Sequence, residues 1–417
     1  MTSTALAVLR AAIAIPIVAL LVGRPMTAVG QSRDLGRPVQ IVSPGQSIQT
    51  AIDHAALGGW VFVTPGIYHE TADATNGLSI SKGIHLVGLS TSEKRVVLEN
   101  AGGQRNGIVV VPQDRAGCMS CHSSLAPPFG LLPGVKSGAT MQEPMIQGFS
   151  ISGFTVRGFI NNGLFTENVD GFSIDDVHSV DNKNYGIFPT LSKNGRISHS
   201  RATGSGDTGV WVETSDNVLV TDTLVEGNLI GFEVSNSNDI TLANNESRNN
   251  SIGLGVFLLP DIFASHPGAK RITVRDNSIH DNNQVNDASP GTLPAALPSG
   301  TGVLLFGVDG SVITGNRIAR NHLTGIAIVD VCVGFQGSEF DCSVNPNVTP
   351  AFLADQEASN NRVVRNVLVH NGTNPPPSPF AFAAGDLTLL SYGAGNCFAN
   401  NDFAISFSLI GFLPACR

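Results

Sequence analysis

The sequence predicts an all-β solenoid of short coils, entered through one helix. Three observations carry that prediction. Apolar residues recur with period two in runs such as GIHLVGL, GIVVV and FSISGFTVRGF. Clusters of Asn, Asp, Gly and Ser close these runs, in a chain where 46 of 417 residues are Gly and only 14% are charged. The chain also rhymes with itself: NGLFTE, YGIFPT, TGVWVE, IGFEVS, IGLGVF, TGVLLF and TGIAIV set Gly163, Gly186, Gly209, Gly231, Gly253, Gly302 and Gly325 at steps of 23, 23, 22, 22, 49 and 23. The step of 49 reads as two turns plus an insertion, within LLPDIFASHPGAK or NDASPGTLPAALPSG. One such turn cannot bury its own apolar side, so successive turns must stack.

Residues 1–30 read as an export signal. Arg10 is the only charge before AAIAIPIVALLV, and Ala28-Val29-Gly30 offers small residues for cleavage before Gln31. That apolar run is short for a membrane span, and an uncleaved N-terminal anchor is the alternative. Cleavage removes Arg10 and Arg24 and takes the formal net charge from −9 to −11. With no basic stripe or helix, the composition argues against nucleic acid, and a mildly acidic surface argues against anionic membranes. The expected location is secreted or periplasmic, with no membrane span once the signal is gone. The remainder, 31–417, is expected to be one solenoid domain, with an insertion at 112–147 and a looser C-terminal region from about residue 331.

The solenoid is entered at SPGQSIQTAIDHAALGGWVFVTPGIYHE. Ser47 suits an N-cap, Ile48, Ala51, Ile52 and Ala55 follow at helical spacing, and Gly58-Gly59 stops the helix before the strand WVFV. A second rhyme, FSIDDV, GRISHS, VLVTDT, ITLANN, ITVRDN and SVITGN, lies between the Gly-led strands. The repeat nGI-x-V followed by I-x-x-N, with that helical entrance, resembles the right-handed parallel β-helix of the pectin-lyase-like superfamily over roughly residues 38–410. The resemblance implies a single-stranded right-handed parallel β-helix of 22–23-residue coils with an N-terminal capping helix. Lyases, hydrolases, epimerases, copper-delivery accessory proteins, tailspikes and adhesins share that fold, so function must come from a site.

Coils stack about 4.8 Å apart, so residues at equal offsets from each repeat Gly form columns along the axis. Offsets one and three, for example Val210 and Val212, are nearly all apolar and are expected inside. Offset two is then outside and brings Phe165, Phe188 and Trp211 onto consecutive coils, with Glu167, Glu213 and Glu233 within two residues. An exposed aromatic ladder beside carboxylates suits a polysaccharide: the rings take apolar sugar faces, and the carboxylates hydrogen-bond hydroxyls or move protons. Under the resemblance, the Gly-led sheet is also the one that faces the substrate groove. The alternative is that segment 112–147 folds over the rings and makes them a satellite core. Glu213 and Glu233 come about 8 Å apart at Cα on strand geometry, within the range of inverting glycoside hydrolysis. The polygalacturonase set NTD, DD, GHG, RIK and the epimerase DPHD are both missing. A calcium-assisted lyase would have Lys193 and Arg196 as its nearest bases, outside any recognisable lyase motif. Binding of a polysaccharide is therefore the primary expectation, with cleavage or epimerisation open.

A second polar column, Asp176, His199 and Asp222, sets a His between carboxylates and reads either as a general base or metal-ligand pair or as a solvated charge ladder. Asn245, Asn277 and Asn316 are expected to form an inward amide ladder. Six cysteines in an exported chain suggest pairing, with Cys332 and Cys342 bracketing one loop and Cys397 and Cys416 fastening the tail. Cys118-Met119-Ser120-Cys121-His122 matches the c-type haem attachment signature, with His122 as proximal and Met141 or Met145 as distal ligand, although a disulfide or thiol pair competes with haem there. A structural or adhesive surface protein, and a periplasmic metal or haem accessory protein, are the alternatives to a polysaccharide-acting one. Oligomeric state is open.

Overall fold

The computed structural model describes residues 39–113, 145–262 and 266–417. Residues 1–30, read above as an export signal, and Cys118, Cys121, His122 and Met141 lie outside the described residues. Among the described residues the strands form three parallel sheets of 14, 10 and 11 strands, and the chain visits them in rotation. One coil runs Asp216–Thr221 in the first sheet, Leu224–Glu226 in the second and Ile230–Ser235 in the Gly-led sheet. Each strand pairs with the equivalent strands one coil above and below, as Val210↔Phe232 and Phe232↔Leu254 show. The protein is a right-handed parallel β-helix, and no helix among the described residues is long and apolar enough to cross a membrane.

The entrance is the helix Ile48–His54, one turn shorter than the Gly58-Gly59 stop suggested. Ser47 caps it by accepting from the Thr50 amide at 3.1 Å, and its own hydroxyl donates to Glu70 Oε2 at 3.0 Å. Glu70 thus places a carboxylate against the positive end of the helix. Ile48, Ala51 and Ile52 close the first coil from below.

The interior is filled as the offsets require: Val210, Val212, Phe232, Val234, Leu254 and Val256 are all buried in one core. Polar ladders hold the turns. Asn245, Asn277, Asn316, Asn366 and Asn401 each accept the amide N–H of the residue one coil before, at 2.9–3.1 Å, so the expected amide ladder is present. A second ladder runs through Asn228, Asn250, Asn282, Asn321 and Asn371 on the turn into the Gly-led sheet. Ser205 interrupts it: its hydroxyl is buried and makes no hydrogen bond.

This second ladder also explains the repeat Gly. A Cβ on Gly209 would lie 2.8 Å from Asn228 Nδ2 and 2.8 Å from the Gly231 carbonyl oxygen. The glycine column therefore faces inward and is there for close approach, not for an unusual turn. Because Gly209 and the next residue, Val210, both face in, strict alternation breaks at that point and the residue before each Gly faces out.

Cys332 and Cys342 are bonded, as are Cys397 and Cys416. The first pair holds the loop that carries Phe335 and Phe340, and Phe335 packs edge-on to Phe306 on the outer face of the Gly-led sheet at 4.7 Å. The second ties Cys416 beside Phe398, which bridges to Ala415. The sheets continue through this region, with strands at Arg362–Val364, Gly385–Leu390 and Ser406–Ser408.

Candidate functional site

The three rings of the outward column do share one line. Phe165 pairs with Phe188, Ile187 with Val210, and Trp211 with Glu233. Phe188 and Trp211 stack, and Phe165 tilts against Phe188 at 5.3 Å. They are not a surface platform: Phe165, Phe188 and Trp211 are 3%, 2% and 1% exposed and form a separate cluster with Val109, Val111 and Tyr185. This corrects the expectation of exposure. Three packed rings are a large apolar area, and burying it is favourable by about 25 cal/mol per Å². Leu304, Phe306, Ala327 and Val329 are likewise buried further along the same face. The Gly-led sheet is thus covered on both sides.

The carboxylates are buried as well. Glu213 accepts the Thr190 hydroxyl at 2.7 Å. Glu233 accepts from Thr208 Oγ1 at 2.7 Å and from Ser235 Oγ at 2.8 Å, and Trp211 Nε1 donates to Ser235 at 3.1 Å. Trp211 pairs with Glu233 and Glu213 with Ser235, so Glu213 and Glu233 are diagonal neighbours on adjacent strands. Glu167 belongs to the same column as Glu213 but is separated from it by Thr190.

The structure adds two residues that the sequence columns did not single out. Asp207 stands two residues before Gly209, and the Thr208 hydroxyl lies 3.3 Å from Asp207 Oδ1 as well as against Glu233. Burial, then the negative charge of Glu233, pushes the Asp207 carboxyl up to about 8. Burial also pushes Glu233 up to about 7, against the hydrogen bonds from Thr208 and Ser235. The two titrate as a pair that keeps a proton near neutrality. Tyr185 is the second addition. Its ring meets Phe188 and Trp211 edge-on at 4.9 and 4.6 Å, and burial followed by the charges of Asp207, Glu233 and Glu213 pushes its phenol well above the usual range. Extending strict alternation through the Gly would put Tyr185 and Thr208 inside; the break at Gly209 turns them out. Asp207 gave one legible signal, as the lone acid at its offset among Asn161, Asn184, Leu229 and Ser251.

Asp207 also forms part of the wall of a polar cleft of about 330 Å³. Lys183, Asn184 and Asn228 line one side, and Gln284, Asp287 and Ser289 of the insertion after the Ser278–His280 strand line the other. That volume is at the lower end of the roughly 300–1,000 Å³ of small-ligand pockets. Asp207, at the wall of a polar cleft and linked through the Thr208 hydroxyl to buried Glu233, can donate or accept a proton there.

The second polar column is not one site. Asp176 takes a two-pronged bond from Arg95 Nη1 at 2.8 Å, His199 Nδ1 sits 2.7 Å from Asp175, and Asp222 accepts from Thr221 at 2.8 Å. These residues recur for a backbone reason. Asp176, His199 and Asp222 have φ of 49°, 47° and 51°, the left-handed conformation that Asp, Asn and His tolerate best outside Gly.

A model of the family described as periplasmic copper-binding protein (NosD) matches residues 147–376, more than half of the chain. The chain belongs to the NosD family. Among solved structures, the chain is similar to the Azotobacter vinelandii mannuronan C-5 epimerase AlgE4 A-module, with a TM-score of 0.55 and 18% identity over 92% of this chain and 99% of that one. It is also similar to the periplasmic alginate epimerase AlgG, at 0.50 and 14% over 83% and 68%. DFA-IIIase from Arthrobacter chlorophenolicus A6 gives 0.50 and 13% over 91% and 98%. At these identities the likeness is one of fold. No curated protein matches the chain.

The NosD description names copper. Among the described residues no group of three or more His, Cys, Asp or Glu side chains is arranged to hold a metal ion. The thiol, imidazole and thioether donors of Cys118, Cys121, His122 and Met141 are outside the described residues.

Proposed function

We propose that the protein is an exported solenoid that binds a polysaccharide at the cleft beside Asp207 and uses the Asp207–Glu233 pair for proton transfer, in cleavage or epimerisation of that chain. The observation that carries this is the pair itself, two buried carboxyls bridged by the Thr208 hydroxyl, of which Asp207 lines the wall of a polar cleft. The aromatic cluster Phe165, Phe188 and Trp211 supports the reading in a changed role, holding the strand that carries Glu213 and packing against Tyr185 rather than stacking on sugar. Glu213 stands diagonal to Glu233 on the adjacent strand and accepts the Thr190 hydroxyl. The fold neighbours that act on mannuronan and alginate, and the periplasmic description of the NosD family, are in keeping with this.

The test is a glycan array followed by turnover assays on polyuronates and neutral glycans. Unsaturated products are followed by absorbance and epimerisation by proton NMR. Wild type is expected to bind and turn over a member of this set, and Asp207→Asn or Glu233→Gln to lose turnover while keeping binding. Unchanged turnover in both variants overturns the catalytic role. The lack of any saccharide binding favours the structural or adhesive alternative.

The family description favours one second reading, a periplasmic metal or haem carrier built on the Cys118-x-x-Cys121-His122 segment. Metal analysis and haem staining of protein from a host that matures c-type cytochromes tests it. Under either reading residues 1–30 are removed on export, and the N-terminal sequence of the mature protein checks that.

A further inference from the structure

The outer face of the first sheet has a charge pattern unlike the rest of the molecule. Its registered column runs Ser150, Ser173, Arg196, Leu219, Thr241, Thr273, Val312, Arg362 over eight successive coils. The parallel column two residues on runs Ser152, Asp175, Ser198, Thr221, Ala243, Arg275, Thr314, Val364. In a chain with 33 acidic and 24 basic side chains, these sixteen positions hold three arginines, eight hydroxyls and one carboxylate. That carboxylate, Asp175, is already held by Ser198 Oγ at 2.8 Å and His199 Nδ1 at 2.7 Å.

The second sheet is built differently. Its outer face carries the mixed, mutually paired set Arg201–Glu226, Arg248–Glu226, Arg248–Glu246 and His280–Glu246.

The arginines of the first sheet are available. Arg196 is exposed, and its hydrogen bond within the protein is from Nε to Ser198 Oγ at 3.2 Å. Arg362 is exposed and makes no ion pair among the described residues. Arg275 is exposed and touches Asp276 at 2.9 Å through one nitrogen only. Of the acids at the margins, Asp239 is held by both prongs of Arg271 at 2.7 Å, Asp170 lies 3.6 Å from Lys193 and Asp176 is held by Arg95 at 2.8 Å, while exposed Asp222 accepts from the Thr221 hydroxyl and makes no ion pair among the described residues. Between Arg196 and Arg275 lies a shallow depression of about 500 Å³ floored in part by Leu219, Thr241 and Thr273.

We infer that this face binds an extended acidic polysaccharide lying along the solenoid axis, with its carboxylates on Arg196, Arg275 and Arg362. Guanidinium groups match carboxylates bidentately, the partly exposed hydroxyls of Ser173, Thr241 and Thr273 in the first column match sugar hydroxyls, and Leu219 offers an apolar contact for a ring face. The coil spacing of about 4.8 Å puts Arg362 about 24 Å from Arg196 along the axis, with Arg275 between them, so a single short oligosaccharide meets all three. The face is on a different sheet from the Asp207 cleft and does not depend on it.

The test is titration calorimetry of the full chain with a polygalacturonate dodecamer, its fully methyl-esterified form and a single-stranded DNA dodecamer. Wild type is expected to bind the free acid, more weakly as salt rises, and to bind the ester and the DNA much less. The double substitution R196Q/R362Q is expected to weaken binding about tenfold or more. Arg201→Gln on the second sheet is expected to leave it unchanged, so a loss confined to R196Q/R362Q locates the contact on the first sheet, while failure of the cleft is read separately from turnover. No binding of the free acid, equal binding of the ester or the DNA, or equal loss in Arg201→Gln overturns the inference. Circular dichroism of each variant confirms that the fold is retained.

Discussion

Phe188 and Trp211, one coil apart, stack with ring centroids 4.3 Å apart and planes 5° from parallel, and neither meets water. Their contribution is to stability. Trp211→Ala leaves a cavity against Phe188 and Tyr185 and frees the Ser235 hydroxyl, and is expected to cost about 3–5 kcal/mol. Urea unfolding followed by circular dichroism measures it. A surface sugar platform would instead lose less than about 0.5 kcal/mol, so the size of the effect separates the two roles.

The Asp207–Glu233 pair sets a pH dependence whose sign follows from its raised values. In the unfolded chain both carboxyls lose their protons near pH 4, whereas in the folded chain they hold them up to about 7 and 8. The folded state then binds more protons between those limits, so this pair makes the protein less stable as pH rises from about 4 to 8. Asp207→Asn removes the partner charge and most of that slope. Its melting temperature is expected to exceed wild type at pH 8 and to approach it at pH 5, measured by scanning calorimetry at both.

Much of the fold was legible in the sequence, because the 22–23-residue rhyme carries the stacking geometry with it. The inward pair Val210 and Val212, the ladder of Asn245, Asn277 and Asn316, and the pairing of Cys332 with Cys342 all follow from repeat position or loop length. The candidate site was less legible for two physical reasons. Gly209 and Val210 both face inward, so counting alternation through the glycine hid Tyr185 and Thr208. An offset also says which way a side chain points, not whether another segment covers it, so Trp211 was correctly turned outward and wrongly left in water. The column Asp176, His199 and Asp222 misled in the opposite sense: a left-handed backbone selects those residue types, and chemistry does not.

Closing the loop around Cys332 and Cys342 is expected to matter more than its position suggests. The bond spans a separation of 10 residues and holds Phe335 against Phe306. Chain-entropy arguments for a loop of that length give about 2–3 kcal/mol. The C332S/C342S variant is expected to lose that much in urea unfolding and to expose the apolar face around Phe306, read as increased binding of a hydrophobic dye. Loss of stability without dye binding would mean that the cover stays down on packing alone.

Ser205 is the break in the second ladder, and filling it is expected to stabilise the protein. Its neighbours in that column, Asn182 and Asn228, donate from Nδ2 to the carbonyls of Val156 and Ala202, each 26 residues earlier. Ser205 is too short to do the same, and its hydroxyl is left without a partner. An asparagine at 205 would reach the Ser179 carbonyl by the same spacing, donate to Asn228 Oδ1, and accept the N–H of Asn182. Gains of this kind are about 1 kcal/mol per hydrogen bond formed. Ser205→Asn is therefore expected to raise unfolding free energy by about 1–2 kcal/mol with no change in denaturant slope. The tight contact at Gly186, where a Cβ would meet Ser205 Oγ at 3.1 Å, sets the opposing term. A loss of stability in Ser205→Asn would show that the coil carrying Asp207 is held apart from its neighbours by that crowding, and that the break in the ladder is required by the shape of the turn.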